Sequence, residues 1–132
     1  MTRVLFVCVE NANRSQMAEA FARLHGGDAV EAASAGSRPS GRINPKAIAA
    51  MQEVGYDLAA HESKGLEEFN GTAVDVAVTM GCGDNCPLVV ATRREEWQIP
   101  DPRDMSPEEF RGVRDLIEQK VLALLAELGV SE

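Results

Sequence analysis

The chain opens on a buried strand that leads through a polar loop into a helix. Residues 4–7, Val-Leu-Phe-Val, form a continuous apolar run, which is typical of a strand buried on both faces of a sheet. After the loop, Ser15 is predicted to cap a helix that ends at Gly26 and Gly27. The apolar face of this helix consists of Met17, Ala18, Phe21 and Leu24. A strand of this kind followed by a helix indicates a parallel sheet with helices against it.

Strands and helices continue to alternate along the rest of the chain. Residues 29–35, closed by Gly36, and residues 74–80 predict two more strands, and residues 96–99 before Pro100 predict a fourth. Asn44 and Pro45 predict the start of a second helix. The sequence therefore predicts an α/β fold of three layers, a four-stranded parallel sheet flanked by helices, as a single domain over residues 1–132.

The last helix has the clearest start signal. Residues 106–109, Ser-Pro-Glu-Glu, combine a capping box with proline at the first helical position. The apolar stripe of this helix is formed by Phe110, Val113, Ile117, Val121, Leu124 and Leu128. The second helix is shorter, ends at Gly55, and carries Ile48, Met51 and Val54.

Charge and cysteine content limit the partners and the compartment. The chain has 21 acidic and 13 basic residues, and a net charge of −8 disfavours nucleic acid and anionic membrane surfaces. Three cysteines are an odd number, which favours a reducing, cytoplasmic environment over a secreted disulfide framework. We find no signal-peptide pattern and no apolar stretch near the roughly 20 residues of a membrane span. A monomer is the default expectation, because no large exposed apolar stripe demands a partner.

The loop from Cys8 to Ser15, called the anion loop below, carries the first candidate site. Between a strand and a helix, such a loop can curl so that successive backbone N–H groups form an oxyanion cradle. Arg14 would close the cradle with a planar fork of donors, and Cys8 would be held there as a nucleophilic thiolate. The predicted oxyanion-binding residues are Val9, Glu10, Asn11, Ala12, Asn13, Arg14 and Ser15. The structural alternative makes Cys8 a small buried residue, Arg14 a solvated side chain and Ser15 only a helix cap.

Two further cysteines follow the third predicted strand. Because the carboxyl ends of parallel strands meet at one edge of a sheet, Cys82 is expected near Cys8. The three residues between Cys82 and Cys86 allow the two sulfur atoms to meet within the Cα separation of about 7 Å that a disulfide requires. The alternatives are a zinc site that recruits His25 and His61, and a pair of inert loop thiols.

The loop and its surroundings resemble a known family. Cys8 to Ser15, followed by Gln-Met-Ala-Glu-Ala at residues 16–20, is similar to the signature of the low-molecular-weight protein tyrosine phosphatase fold. Asn11 matches the asparagine that shapes the loop in that family. Asp101-Pro102 resembles the late Asp-Pro motif, whose aspartate acts as general acid. The resemblance spans the chain and implies the same α/β fold.

The loop together with the later thiol pair resembles the thiol-coupled arsenate reductases of this fold. The resemblance implies catalytic roles for Cys8, Arg14, Cys82, Cys86 and Asp101. Cys8 would attack arsenate, Cys82 would attack Cys8 as arsenite leaves, and Cys86 would move the disulfide outward. The donor would be thioredoxin or another small thiol-redox protein, and phosphate or sulfate would compete with arsenate. No cofactor is implied, and the activity would serve arsenical resistance.

Several residues depart from the family pattern. Glu10 places a carboxylate inside the anion loop, where it would repel substrate unless its side chain points outward. Asn13 stands where many relatives have another cysteine. Some members bind potassium, and the matching positions here are Asn11, Glu19, Ser34 and Lys64. Because a lysine ammonium would replace the cation, we expect no potassium requirement.

Two alternatives to the reductase stay open. One is a phosphatase in which Cys82 and Cys86 only protect Cys8, although Arg103 stands where phosphatases carry an aromatic residue. Tyr56 and Trp97 also leave little aromatic surface for a phenyl phosphate. The other is a non-enzymatic oxyanion-binding or redox-sensing module.

Overall fold

A four-stranded parallel sheet organises the chain in a computed structural model that describes residues 2–63, 65, 73–80 and 90–130. The strands are β1 (Thr2–Cys8), β2 (Val30–Gly36), β3 (Ala73–Thr79) and β4 (Val90–Glu96), in the order β2-β1-β3-β4. The helices are α1 (Arg14–Gly26), α2 (Pro45–Gln52) and α3 (Pro107–Leu128). Short 3₁₀ turns occupy Gly27–Ala29 and Leu58–Ala60. The predicted α/β fold with a parallel four-stranded sheet is confirmed.

The continuous apolar run of β1 is explained by burial on both faces of the sheet. On one face, Phe6 packs into the main core with Met17 and Phe21 of α1, and with Met51 of α2 and Ile117 of α3. The opposite face has its own buried cluster, formed by Leu5, Val7, Ala35, Val74 and Ala77. Central position in the sheet therefore fixes β1 firmly, and with it the loop that follows Cys8.

The fourth strand lies earlier than predicted. It spans Val90–Glu96, whereas the sequence predicted residues 96–99. As an edge strand paired only with β3, it tolerates charged side chains such as Arg93, which pairs with Glu127 of α3 at 2.9 Å. Trp97 and Ile99 are buried just after the strand, so their apolar character marks core contact and not the strand itself.

The starts and ends of the helices also refine the predictions. Asn13 occupies the N-cap position of α1, without a side-chain cap, and Ser15 lies inside the first turn. Ser15 is therefore not the predicted helix cap. Leu24, in the last turn of α1, and Val54, two residues beyond the end of α2, are 43% and 38% exposed, so neither belongs to the buried apolar face predicted for its helix. Within the described ranges, no helix combines the length and apolarity needed to cross a membrane.

The capping box of α3 supports a first prediction. The Ser106 hydroxyl accepts from the Glu109 N–H at 3.2 Å, and the Ser106 N–H donates to Glu109 Oε1 at 3.1 Å. Replacing Ser106 with alanine is expected to lower the free energy of unfolding by about 1 kcal/mol in urea titrations.

Hydrogen bonds from the Ser106 N–H and hydroxyl lower the pKa of Glu109. These hydrogen bonds stabilise the fold at pH values above the ordinary glutamate pKa, and their contribution is lost in acid. The difference in the free energy of unfolding between wild type and Glu109→Ala should therefore become smaller as pH falls. A gap that widened in acid would contradict this.

Candidate active site

The turn between β1 and α1 forms the wall of a cavity at the carboxyl edge of the sheet. Cys8 is the last residue of β1 and is only 3% exposed. The cavity has a volume of about 300 Å³ and is lined by Cys8, Val9, Glu10, Ala12, Asn13, Arg14 and Asp101. Most of the predicted oxyanion-binding residues therefore surround one space with the Cys8 thiol.

The backbone of the loop is held from outside by the segment after β2. The carbonyl oxygens of Cys8, Val9, Glu10 and Ala12 accept from the N–H groups of Ser37, Arg38, Ser40 and Asn44, at 2.8 to 3.2 Å. A carbonyl and the next N–H belong to one planar peptide unit and point in opposite directions. The N–H groups of residues 9, 10, 11 and 13 are therefore turned away from that segment. This orientation is the one that the predicted oxyanion cradle requires.

The side chains beneath the loop direct a hydrogen bond at Cys8. Asn11 adopts φ 53°, a left-handed conformation that asparagine tolerates better than most residues. Its Nδ2 donates to Ser15 Oγ at 2.8 Å, and Ser15 Oγ lies 2.8 Å from Cys8 Sγ. Because the Ser15 hydroxyl accepts from Asn11, its own hydrogen is available to the sulfur. Ser15 was predicted as the helix cap, but its hydroxyl is instead placed to donate a hydrogen bond to Cys8 Sγ.

A series of hydrogen bonds continues from Asn11 to Tyr56, which follows α2. Gln16 Nε2 donates to Asn11 Oδ1 at 2.9 Å, and Gln16 Oε1 lies 2.9 Å from His61 Nδ1. An amide oxygen only accepts, so His61 Nδ1 carries a hydrogen. When the imidazole is neutral, His61 Nε2 accepts from the Tyr56 hydroxyl. Burial raises the pKa of Tyr56, which keeps this hydroxyl protonated. With a neutral His61, each of these hydrogen bonds from Tyr56 to Ser15 has its donor on the side away from Cys8 and its acceptor on the side toward it. The sequence contained no local signal for this series.

A second buried cluster centres on Glu19, which is 2% exposed. Ser34 Oγ donates to Glu19 Oε1 at 2.6 Å, and Arg23 Nε donates to Glu19 Oε2 at 2.9 Å. Glu19 and Ser34 therefore meet as the potassium resemblance implies, but the Asn11 side chain is directed to Ser15 and Gln16 instead. Lys64, proposed as the substitute cation, lies outside the described residues.

Arg23 supplies positive charge to Glu19, and the sequence prediction missed it. The available signal was its i,i+4 spacing from Glu19.

In the described part of the chain, no group of three or more histidine, cysteine, aspartate or glutamate side chains is arranged to hold a metal ion. His25, considered as a zinc ligand, pairs with Glu118 at 2.9 Å.

Removing the Glu19 carboxylate is expected to destabilise the fold. Glu19→Ala would leave the buried Ser34 hydroxyl without its acceptor and Arg23 without its ion pair. We expect the free energy of unfolding to fall by about 2 kcal/mol, measured by chemical denaturation. Glu19→Gln is the matched control, because it retains an acceptor for Ser34 and should lose less. Equal losses in the two variants would argue against a role for the hydrogen bond.

Arg14 and Asp101 both line the cavity, and their side chains lie close to each other. The Arg14 side chain is 10% exposed, its Nη1 donates to the Ile99 carbonyl at 3.1 Å, and its Nη2 lies 3.9 Å from Asp101 Oδ2. The Asp101 side chain is 53% exposed, and its Oδ1 accepts from the Arg103 N–H at 3.1 Å. A carboxyl group with this exposure beside the cavity is accessible to a leaving group or to water.

Three other predictions concern side chains near the cavity. Glu10 lines the cavity and its Oε1 accepts from Arg103 Nη1 at 3.0 Å, so the carboxylate that was predicted to be unfavourable there has a cation beside it. Asn13 is buried, and its Oδ1 has no hydrogen-bond partner among the described residues. Trp97 packs on Phe6 with ring centroids 5.9 Å apart, so it lies in the core and not in the cavity wall.

Cys82 and Cys86, predicted to be redox thiols, lie outside the described residues. The described chain nevertheless reaches the correct edge of the sheet, because Thr79 of β3 pairs with Val7 of β1. The Met80 N–H also donates to the Val7 carbonyl at 2.7 Å. Met80, the last described residue before Cys82, therefore lies beside the end of β1, which Cys8 closes.

Comparison with known proteins places this geometry in a family. The family model described as low molecular weight phosphotyrosine protein phosphatase matches residues 3–131. A protein of Synechocystis named glutaredoxin arsenate reductase is 41% identical over 132 residues, covering 98% of this chain and 100% of the relative. A structure titled an arsenate reductase in the phosphate binding state superposes with a TM-score of 0.88 at 41% identity, covering 96% of this chain and 98% of that one. A Corynebacterium glutamicum thioredoxin-dependent arsenate reductase gives 0.79 at 28% identity, covering 98% and 62% respectively. The chain therefore belongs to the low molecular weight phosphotyrosine protein phosphatase family.

Proposed function

We propose that this protein reduces arsenate to arsenite, with Cys8 as the nucleophile. The observation that carries the proposal is the meeting of Cys8, Arg14 and Asp101 around one cavity. Relatives named arsenate reductase that match nearly the whole chain support the choice of substrate. The reaction begins when arsenate oxygens accept hydrogen bonds from the cradle and from Arg14.

The covalent steps follow from the chemistry of thiols and As(V). The Cys8 thiolate attacks arsenic, an S–As bond forms, and the As–O bond to an arsenate hydroxyl breaks as that hydroxyl takes a proton from Asp101 and leaves as water. The Cys82 thiolate then attacks Cys8 Sγ, and an S–S bond forms while the S–As bonding pair passes to arsenic. Arsenic is reduced by two electrons and leaves as arsenite. Cys86 attacks Cys82, freeing Cys8 and leaving a Cys82–Cys86 disulfide.

Phosphate and sulfate are expected to compete for the same cradle. Phosphate is nearly isosteric with arsenate, so hydrogen bonds and charge alone do not separate the two. Discrimination must come after attack, because only an arsenic adduct accepts two electrons from a thiol. A solved relative described in a phosphate binding state supports this competition.

The Cys82–Cys86 disulfide requires an external dithiol. We propose thioredoxin or another small thiol-redox protein as donor, acting on a cytoplasmic monomer. The relatives support both possibilities, since one is named for glutaredoxin and another is described as thioredoxin-dependent. Initial rates with thioredoxin, with glutaredoxin and glutathione, and with mycothiol and mycoredoxin would identify the donor.

Mass spectrometry after one equivalent of arsenate tests the relay directly. We expect a Cys82–Cys86 disulfide in the wild type and a trapped Cys8–Cys82 disulfide in Cys86→Ser. Cys82→Ser should accumulate neither disulfide. Multiple-turnover activity at the wild-type rate in either variant would overturn the relay.

Phosphatase activity is the second candidate, favoured by the family to which the chain belongs. It predicts rapid aryl phosphate hydrolysis that depends on Asp101 and is indifferent to Cys86→Ser. Neither Tyr56, bonded to His61, nor Trp97, packed on Phe6, contributes to the described cavity wall. The cavity therefore offers no aromatic wall among its described residues, which favours a small inorganic oxyanion.

A further inference from the structure

A negative charge on the anion loop requires compensation. Glu10 and Asp101 bring two carboxylates to the cavity wall, and Arg14 is the one cation among its described lining residues. With a Cys8 thiolate, these lining groups sum to two negative charges, in a chain whose net charge is already −8. A doubly charged oxyanion entering this cavity would be repelled unless another cation lies close by.

Arg103 is fixed at the rim of the cavity by contacts on both sides of its backbone. Its N–H donates to Asp101 Oδ1 at 3.1 Å, and its carbonyl accepts from Lys46 Nζ of α2 at 3.2 Å. Lys46 Nζ also donates to the Met105 carbonyl at 3.1 Å, so it clamps the short segment before α3. The Arg103 guanidinium therefore extends from an anchored point beside Asp101.

Glu10 is equally well anchored on the other side. Its carbonyl accepts from the Ser40 N–H and from the Ser63 hydroxyl, each at 3.0 Å. Arg103 Nη1 reaches its Oε1 at 3.0 Å, with the Arg103 side chain 61% and the Glu10 side chain 38% exposed. This ion pair joins the anion loop to the segment that carries Asp101, across 93 residues of sequence.

We propose that Arg103 is a positioning residue that neutralises Glu10 at the mouth of the oxyanion site and ties the Asp101 segment to the anion loop. The negative charge of Glu10 lowers the affinity of the site for an oxyanion. The positive charge of Arg103 offsets that effect. The inference rests on the oxyanion site of the proposed function but not on arsenate reduction.

Binding of inorganic phosphate, measured by calorimetry without turnover, tests the charge relation. Glu10→Gln keeps an acceptor for Arg103 and removes the negative charge, so phosphate should bind about threefold more tightly at low ionic strength. Arg103→Gln leaves the carboxylate unpaired and should weaken binding about threefold, while Arg103→Lys retains the charge and should stay near wild type. The double variant Glu10→Gln with Arg103→Gln should return to within about twofold of wild type.

Arg3 and Glu31 provide a matched control at the opposite edge of the sheet. They form a similarly exposed pair at 2.8 Å at the amino ends of β1 and β2, so Arg3→Gln and Glu31→Gln should leave phosphate affinity unchanged. Weaker binding in Glu10→Gln, or changes of the same sign in Glu10→Gln and Arg103→Gln, would overturn the inference. A wild type that binds no phosphate would instead show that the oxyanion site itself is wrong.

Discussion

Replacing Cys8 with serine is expected to abolish arsenate reduction, lowering kcat/KM by a factor of at least about 10³. A serine hydroxyl scarcely ionises at neutral pH, whereas the Cys8 sulfur lies 2.8 Å from a hydroxyl donor and beside the inward N–H groups. The variant also lacks the sulfur from which the first disulfide is made. A coupled multiple-turnover assay with arsenate measures the loss.

The loss should be one of chemistry and not of binding. Cys8→Ser should bind phosphate at least as tightly as wild type, because Arg14 and the loop backbone are unchanged and the negative charge of a Cys8 thiolate is removed. Ser15→Ala is a graded comparison: it keeps the nucleophile, removes the hydroxyl donor and should cost about tenfold in rate. Residual reduction above a few per cent in Cys8→Ser would place the nucleophile elsewhere.

The parts of the site encoded locally were predictable from the sequence. The apolar run of β1, the polar loop and the start of α1 are adjacent along the chain, so periodicity was enough to identify the strand-loop-helix unit. The capping box of α3 is equally local, and Asn44 caps α2 as predicted by accepting from the Lys46 N–H at 2.9 Å. Fold class followed, because buried strands that alternate with helices have few packing solutions.

The missed features depend on contacts between distant segments. Arg103 meets Glu10 and His61 meets Gln16, across 93 and 45 residues. No spacing rule identifies such pairs. The edge strand β4 was misplaced for a related reason, since its charged residues are explained by neighbours in the sheet and α3. Sequence patterns indicate which residues are buried, but the partner of a buried polar group comes from the fold.

Gly36 pairs with the end of β1 and also lies against the backbone of the anion loop. It pairs in register with Cys8 at the ends of β2 and β1. A Cβ atom built at this position would lie 2.5 Å from the Val9 carbonyl oxygen and 2.9 Å from the Asn11 nitrogen. Both are backbone atoms of the anion loop, which cannot turn aside as the end of a flexible side chain could.

Gly36→Ala is therefore expected to displace the anion loop and weaken phosphate binding more than about tenfold, because the inward N–H groups lose their shared geometry. The free energy of unfolding should fall by about 1–3 kcal/mol, the usual cost of overpacking. Gly112→Ala is the matched control, since a Cβ there meets nothing within 4 Å and the residue lies inside α3. That variant should bind phosphate normally and gain slightly in stability, as alanine does over glycine in a helix. If Gly36→Ala bound phosphate as tightly as Gly112→Ala, close contact with the end of β2 would not be what shapes the cradle.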